Sequence, residues 1–300
     1  MSKKLISVVI ITCNRKDELK KTILSCAKNA GMPCEIIVID NGSSDGTREM
    51  LKQLQLTKSC RLRPFFSECN LGVSGGRNVG YQMAKSEIIF FIDDDAVIAE
   101  NSESLSAGYN YMKKHADVHA LAMEIYDLKQ EKLLLDNFSK KGFNDGESHR
   151  MLSYVGASHI LRKDKGIQYL YPPKLMYGAE ERYAALRAYD MGGEVLYYEG
   201  IKVLHNPSTK TRMSELETYR NIMINQFVIK LLLLPKAWLV LSGLLFFLRA
   251  CRREKFKWKI VLNDYHTAKE RYRENIEARY HMRENTALTL MKEFGVFTII

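Results

Sequence analysis

The sequence predicts an α/β fold: a mostly parallel sheet flanked by helices, followed by a C-terminal helical extension. Three observations carry that prediction. Short β-branched apolar runs alternate with segments of helical spacing in the first hundred residues, the pattern of an open parallel sheet. Each run stops at a polar cluster, and ligands of such sheets sit at the carboxyl ends of the strands. After His205-Asn206-Pro207 the alternation ceases and long helical segments take over. The chain is therefore expected to divide into a body, 1–208, and a helical basic and apolar region, 209–300.

Leu5-Ile-Ser-Val-Val-Ile-Ile11 reads as the first strand. Residues 16–30 read as a helix with Leu19, Ile23, Leu24 and Ala27 on one face. A second strand, 35–39, ends in Asp40-Asn41-Gly42-Ser43-Ser44-Asp45-Gly46-Thr47, a turn leading into a helix with a polar start. Residues 77–85 are expected to be helical, and Ile88–Ile92 to form a buried strand that runs straight into Asp93-Asp94-Asp95. Between 97 and 150 the pattern gives a helix over 102–115 and a polar loop around Phe138–Arg150, before small and apolar types return at 151–161 with Gly156-Ala157-Ser158. Ser214 and Glu217 form a capping box that opens a helix carrying Leu216, Tyr219, Ile222, Met223 and Phe227. An apolar run, 237–248, precedes Arg249, Arg252, Arg253, Lys255, Lys257 and Lys259; a last helix over 258–283 sets Val261, Tyr265, Ala268, Tyr272 and Ile276 on one face.

Three hundred residues with 46% hydrophobic content can bury a full core. Met1-Ser2-Lys3-Lys4 leads into only seven apolar or small residues before Thr12, unlike a signal peptide. The cysteines at 13, 26, 34, 60, 69 and 251 form no CxxC pair and no metal-ligand spacing, so they read as reduced thiols filling the core. Both features point to work inside the cell. The net charge of +10 is uneven: residues 1–208 hold 28 Lys/Arg against 26 Asp/Glu, and residues 209–300 hold 17 against 9. Such a basic tail suggests an anionic surface as partner.

Three adjacent carboxylates repel one another, and hard oxygen ligands suit Mg²⁺ or Mn²⁺. Asp93 and Asp95 alternate along the strand direction and so point the same way, toward one cation and one nucleotide. No GxGxxG follows the first strand, where Thr12-Cys13-Asn14-Arg15 stands, and there is no GxxxxGKS/T, which argues against a dinucleotide oxidoreductase or an NTPase. In Asn70-Leu-Gly-Val-Ser-Gly-Gly-Arg-Asn-Val-Gly80, the glycines allow close backbone approach to a ligand, and Arg77 could meet a phosphate at a helix start.

Ser7–Arg15, Val38–Thr47, the Asn70–Gly80 segment and the Asp triplet, in that order and spacing, resemble family 2 glycosyltransferases of the Rossmann-like GT-A fold, over roughly residues 5–208. The resemblance implies an inverting enzyme that uses a nucleotide-diphosphate sugar and a divalent cation. It would put Thr12, Asn14, Arg15 and Asp40 around the nucleobase and ribose, with Asn41, Gly72, Gly75, Arg77 and Asp94 close to the nucleotide. Asp93 and Asp95 would form the DxD pair, and His205 matches a histidine that can join the metal or diphosphate. Tyr177–Arg187 is similar to the segment carrying the family's catalytic base, normally Glu-Asp. Here the pair is Glu180-Glu181, and either is open as the base. Tyr219-Arg220-Asn221 resembles rhamnosyltransferase-like members.

The run 237–248 is too short to span a bilayer uninterrupted, and with the basic cluster it fits in-plane attachment to an anionic leaflet. A buried helix or an oligomer interface is the other reading. No nucleic-acid motif accompanies the basic tail despite Phe256 and Trp258 beside it. The expected acceptor is a hydroxyl of a cell-surface glycan precursor, lipid-linked, at the cytoplasmic face. The alternative is a sugar-nucleotide-binding relative that assembles a membrane complex without catalysis.

Overall fold

A computed structural model describes residues 5–134, 148–164, 166–207, 214–253 and 257–300. The polar loop expected around Phe138 falls outside them up to residue 147, as do Glu254, Lys255 and Phe256.

The first half alternates as its sequence pattern requires. Strand β1 (Ile6–Thr12), helix α1 (Lys16–Lys28), β2 (Cys34–Asp40), α2 (Thr47–Gln53), β3 (Cys60–Phe66), α3 (Gly72–Met83) and β4 (Ile88–Ile92) follow one another. Then come β5 (Ala96–Ile98), α4 (Leu105–Lys114), β6 (Val118–Asp127), β7 (Lys132–Leu134), β8 (Ser148–Arg150) and β9 (Ser158–Arg162). Helix α5 (Glu180–Asp190) and the long β10 (Glu194–His205) complete the sheet-bearing part. The strand order is β3-β2-β1-β4-β9-β6-β10-β5, with β7 on β6 and β8 on β10. The expected parallel pairing holds for β3-β2-β1-β4; beyond β4 the sheet is mixed, because β9 runs antiparallel to both β4 and β6. Residues of β4 are buried throughout, and each large apolar side chain so removed from water contributes about 1.5–3 kcal/mol.

Strand β3 carries Pro64 and two arginines, a composition tolerated because it is the sheet's edge strand. Its first residue corrects the reading of the cysteines: register pairs Cys60 with Cys34 of β2, and the two form a disulfide. The other four remain thiols.

Helix α3 begins at Gly72, five residues before the expected start, so most of the glycine segment is helix rather than loop. Its glycines let the helix lie close on β1: a Cβ at Gly80 would stand 2.3 Å from Val9 Cγ1, and one at Gly76 would stand 3.0 Å from Ile11 Cγ2.

The C-terminal region forms α6 (Glu215–Leu233), α7 (Lys236–Arg253), α8 (Trp258–Glu274), a 3₁₀ turn at Ile276–Ala278, α9 (Glu284–Phe294) and α10 (Val296–Ile299). The capping box is formed: Ser214 Oγ accepts from Glu217 N, and Glu217 Oε2 accepts from Ser214 N at 3.0 Å. One apolar core continues from Val9 and Phe91 of the sheet through Phe227, Phe246 and Val261 of these helices. The expected helix over 258–283 stops at Glu274, and Tyr265 and Ile276 face solvent while Val261 and Ala268 are buried. Leu216 and Tyr219 of α6 are likewise exposed. Helix α7 buries Ser242, Phe246, Ala250 and Cys251 and exposes Val240, Leu241, Leu244 and Leu248. Arg253 and Arg220 are both bound to Asp264, a fully buried carboxylate of α8. Among the described residues, no helix is long and apolar enough to cross a membrane.

Candidate active site

The Asp triplet sits where β4 ends, and its backbone is pinned on three sides. Asp93 N donates to Ala157 O at 2.9 Å, Asn206 N donates to Asp95 O at 2.9 Å, and Thr22 Oγ1 of α1 donates to the carbonyls of Asp94 and Ala96 at 2.9 and 2.8 Å. Strand β10 runs antiparallel to β5 with His205 opposite Ala96, and parallel to β6 with His205 opposite Asp127. That register delivers the imidazole to Asp95, with Nε2 3.2 Å from Oδ1. Ligand atoms of Asp93, Asp95 and His205 consequently all lie within 4.8 Å of one another. Asp94 points the other way, accepting from Thr12 Oγ1 at 2.7 Å and from Arg15 Nη1 at 2.8 Å. Arg15 Nη1 also reaches Asp95 Oδ2 at 2.9 Å.

Arg77 falls within α3 rather than at a helix start, and its guanidinium is buried among carboxylates. Nη1 donates to Glu180 Oε1 and Glu181 Oε1, each at 3.0 Å, and Nη2 donates to Asp93 Oδ1 at 3.0 Å and Gly156 O at 2.8 Å. This one side chain therefore ties the start of α5 to the acid triplet. The two glutamates open α5, where a helix N-terminus favours negative charge, after Gly178 (φ 92°) and Ala179 (φ 72°) in left-handed conformation. Glu180 is 2% exposed and Glu181 is 13% exposed at the side chain, so Glu181 is the more open of the pair.

Five carboxylates (Asp93, Asp94, Asp95, Glu180 and Glu181) meet two guanidiniums here. Burial first, and neighbouring carboxylates after it, favour proton retention here. Burial, with the Glu180 charge next, pushes the Glu181 carboxyl up to about 8 against the pull of Arg77. Burial pushes Asp94 up to about 7, opposed by Arg15 and Thr12. Burial pulls His205 down, but the hydrogen bond to Asp95 and the nearby carboxylates more than offset it, so its pKa is raised. Two hard oxygen ligands, one imidazole and surplus negative charge make a donor set that a divalent cation fits.

The remaining expected residues gather along the same strand ends. Asp40 is buried, accepting from Ser43 N at 3.0 Å and Arg48 Nε at 3.1 Å. Asn14 Oδ1 accepts from Ser44 N at 2.7 Å, clamping the turn after β2. Asn41 Nδ2 donates to Gly72 O at 3.1 Å. Gly72 and Gly75 stand against the chain's own 173–176 segment, where a Cβ would meet Met176 at 2.9 Å and Pro173 O at 3.4 Å; packing within the chain accounts for both glycines.

Several contributors had no signal of their own in the sequence. A Cβ on Gly156 would lie 1.9 Å from Glu181 Oε1, so only glycine leaves that carboxylate its place. Behind Arg77, Tyr171 presents its ring 5.9 Å from the guanidinium carbon, and its hydroxyl lies 2.9 Å from His159 Nε2. Burial, then the Arg77 charge, holds His159 well below its ordinary pKa and therefore neutral.

A family model described as glycosyl transferase family 2 matches residues 7–164, just over half of the chain. The chain belongs to this family. It is 31% identical over 142 residues to an uncharacterized glycosyltransferase of Haemophilus influenzae, covering 47% of this chain and 56% of that protein. It is 30% identical over 138 residues to the GalNAc(5)-diNAcBac-PP-undecaprenol beta-1,3-glucosyltransferase of Campylobacter jejuni, covering 46% and 43%. The chain thus matches about half the length of these two relatives. The crystal structure of S. aureus TarS 1-349 in complex with UDP-GlcNAc superposes with a TM-score of 0.61 at 18% identity, covering 96% of this chain and 84% of that one. At that identity the likeness shows the shared fold, a central sheet flanked by helices with C-terminal helices beyond it.

Proposed function

We propose that this member of glycosyl transferase family 2 is an inverting enzyme that moves a sugar from a nucleotide-diphosphate donor, UDP- or dTDP-linked, to an acceptor hydroxyl. The observation that carries the reading is the Arg77 bridge, which joins a partly open glutamate, Glu181, to the Asp93 side of a cation-compatible cluster. Reaction chemistry needs those two functions side by side. Glu181 accepts the proton of the acceptor hydroxyl as its oxygen attacks the anomeric carbon, from the face opposite the departing diphosphate. Glu180, more deeply buried on the same guanidinium, keeps Arg77 in place. Asp93, Asp95 and His205 would hold Mn²⁺ or Mg²⁺, which when bound supplies positive charge against the leaving diphosphate. Thr12, Asn14, Arg15, Asp40 and Asn41 line the strand ends where the nucleoside would lie, the usual ligand position in such sheets.

The acceptor is proposed to be a lipid-linked glycan precursor, supported by the Campylobacter relative, whose name specifies a PP-undecaprenol-linked glycan. The second unit proposed, 209–300, attaches the enzyme in-plane to the anionic cytoplasmic leaflet. Val240, Leu241, Leu244 and Leu248 form an exposed apolar stripe on α7, and Arg252, Lys257 and Lys259 lie exposed beside its end. Arg253 is excluded from that role by Asp264. A panel of hexosyl and rhamnosyl nucleotide donors, assayed for cation-dependent sugar release and transfer, tests the reading; a chain that binds donors but never releases sugar would favour the non-catalytic alternative.

A further inference from the structure

We infer that Asn225 of α6 and Arg271 of α8 are positioning residues that hold the turn presenting Glu181, so that the C-terminal helices complete the candidate active site. The inference rests on the reading of Glu181 as the base. Residues 177–179 lead into α5, and two features of that turn call for support from outside it. Ala179 takes φ 72° without being glycine, a backbone conformation that persists only where the surroundings impose it. No side chain caps the N-terminus of α5 with a hydrogen bond, although both glutamates stand in its first turn.

Helix α6 gives that support. Asn221 Nδ2 donates to Tyr177 O at 2.6 Å, and Asn225 Nδ2 donates to Tyr177 O and Gly178 O at 2.8 and 2.9 Å. Positions 221 and 225 lie one turn apart on the same helix face, which brings both amides to the same backbone segment. Ile222 closes the contact: a Cβ at Gly178, where φ is 92°, would stand 3.0 Å from its Cγ1.

An amide turned the other way would set its oxygen against a carbonyl, with no donor between them. Arg271 prevents that. Its Nη1 donates to Asn221 Oδ1 at 2.7 Å and to Asn225 Oδ1 at 2.5 Å, and a guanidinium has nothing to accept with. Both oxygens are therefore held toward α8 and both NH₂ groups toward the turn. Asn225 is 1% exposed, so water offers its amide no substitute partner. Asp264, seven residues before Arg271 on the same face of α8, binds Arg220 of α6 and fixes the two helices together.

On its other side the segment is tied to α3, where Val73 N donates to Met176 O at 2.9 Å. Arg77 of that helix holds both glutamates by their Oε1 atoms. Arg77 thus fixes the carboxylates, and the amide pair fixes the backbone that carries them. Proton acceptance depends on close placement of the base, so a relaxed turn slows the chemical step and leaves donor binding at the strand ends intact.

Initial rates of sugar transfer, measured for the full chain against donor and acceptor concentration, test this. Asn225→Ala is expected to lower kcat about tenfold to a hundredfold, with circular dichroism unchanged. Arg271→Met, which keeps the stem and loses the donors, is expected to do the same and serves if Asn225→Ala folds poorly. The donor KM and the affinity for UDP with Mn²⁺, read by calorimetry, are expected not to change. Arg271→Lys restores a donor and should recover part of the rate. In a Glu181→Gln background, Asn225→Ala or Arg271→Met should cost less than about twofold more, because nothing is left for them to place. Losses that multiply in the double variant would overturn the inference, as would normal kcat in both single variants beside a slow Glu181→Gln. Normal transfer in Glu181→Gln overturns the base reading itself, and this inference with it.

Discussion

Glu181 carries the sharpest expectation at the scale of single residues. Glu181→Gln keeps the shape but cannot take a proton, so transfer should fall by roughly 10²–10⁴, the usual worth of general-base catalysis, with donor affinity little changed. Because burial and the neighbouring Glu180 raise its pKa, the base form accumulates only as pH rises toward about 8. Initial rates should therefore climb through that range in wild type, and the limb should vanish in Glu181→Gln. Loss of the limb in Glu180→Gln instead would move the role to its neighbour. Gly156→Ala tests placement: its methyl would occupy the position of Glu181 Oε1, so acceptor-dependent turnover should drop while the fold, read by circular dichroism, persists. The acidic triplet is conspicuous in the sequence itself, whereas Glu180, Glu181 and His205 are singled out there only by the resemblance to the family. Gly156 and the Tyr171–His159 support are not legible there, since their roles come from contacts between segments distant in the chain.

Among the elements, the buried strands follow their sequence pattern most closely, whereas helical period alone does not settle which face of α6 or α8 is buried. Strands β1, β2 and β4 are continuous apolar runs, buried on both faces, and appear within a residue or two of their expected limits. Helix α3 starts earlier than its sequence suggests because glycines, which weaken isolated helices, are here what permits contact with β1. Tyr265 of α8 shares the helical period of Val261 and Ala268 yet is exposed, because packing against α6 and α7 rather than periodicity decides burial. Asp264 ties α8 to both of those helices through Arg220 and Arg253. Removing the buried carboxylate that both arginines share by Asp264→Ala should destabilise the chain by about 3–5 kcal/mol, seen as a lowered urea midpoint. Around the junction of α7 and α8, replacing Arg252, Lys257 and Lys259 with Gln should release the protein from anionic vesicles most clearly at physiological ionic strength. Replacing Val240, Leu244 and Leu248 with Gln should weaken the salt-independent part of the same binding. A wild-type chain that ignores anionic vesicles at low salt would make this stripe an interface of another kind.

At the scale of the whole molecule, the sheet's strand ends bring together segments from five parts of the chain: 12–15, 40–45, 77, 93–95 and 180–205. The α/β pattern made that convergence predictable, since parallel strands aim their carboxyl ends at one edge. The mixed half of the sheet and the core shared with the C-terminal helices come from pairings between distant residues that no local pattern encodes. This edge is proposed to perform cation-dependent sugar transfer. Its most direct measurement is the rate of sugar transfer from the preferred nucleotide donor, for wild type and a folded Asp95→Ala variant, with added Mn²⁺ and in excess EDTA. Turnover is expected to need the added cation, to be lost in EDTA and to be abolished in Asp95→Ala; turnover undiminished in excess EDTA would overturn the cation's role at this edge.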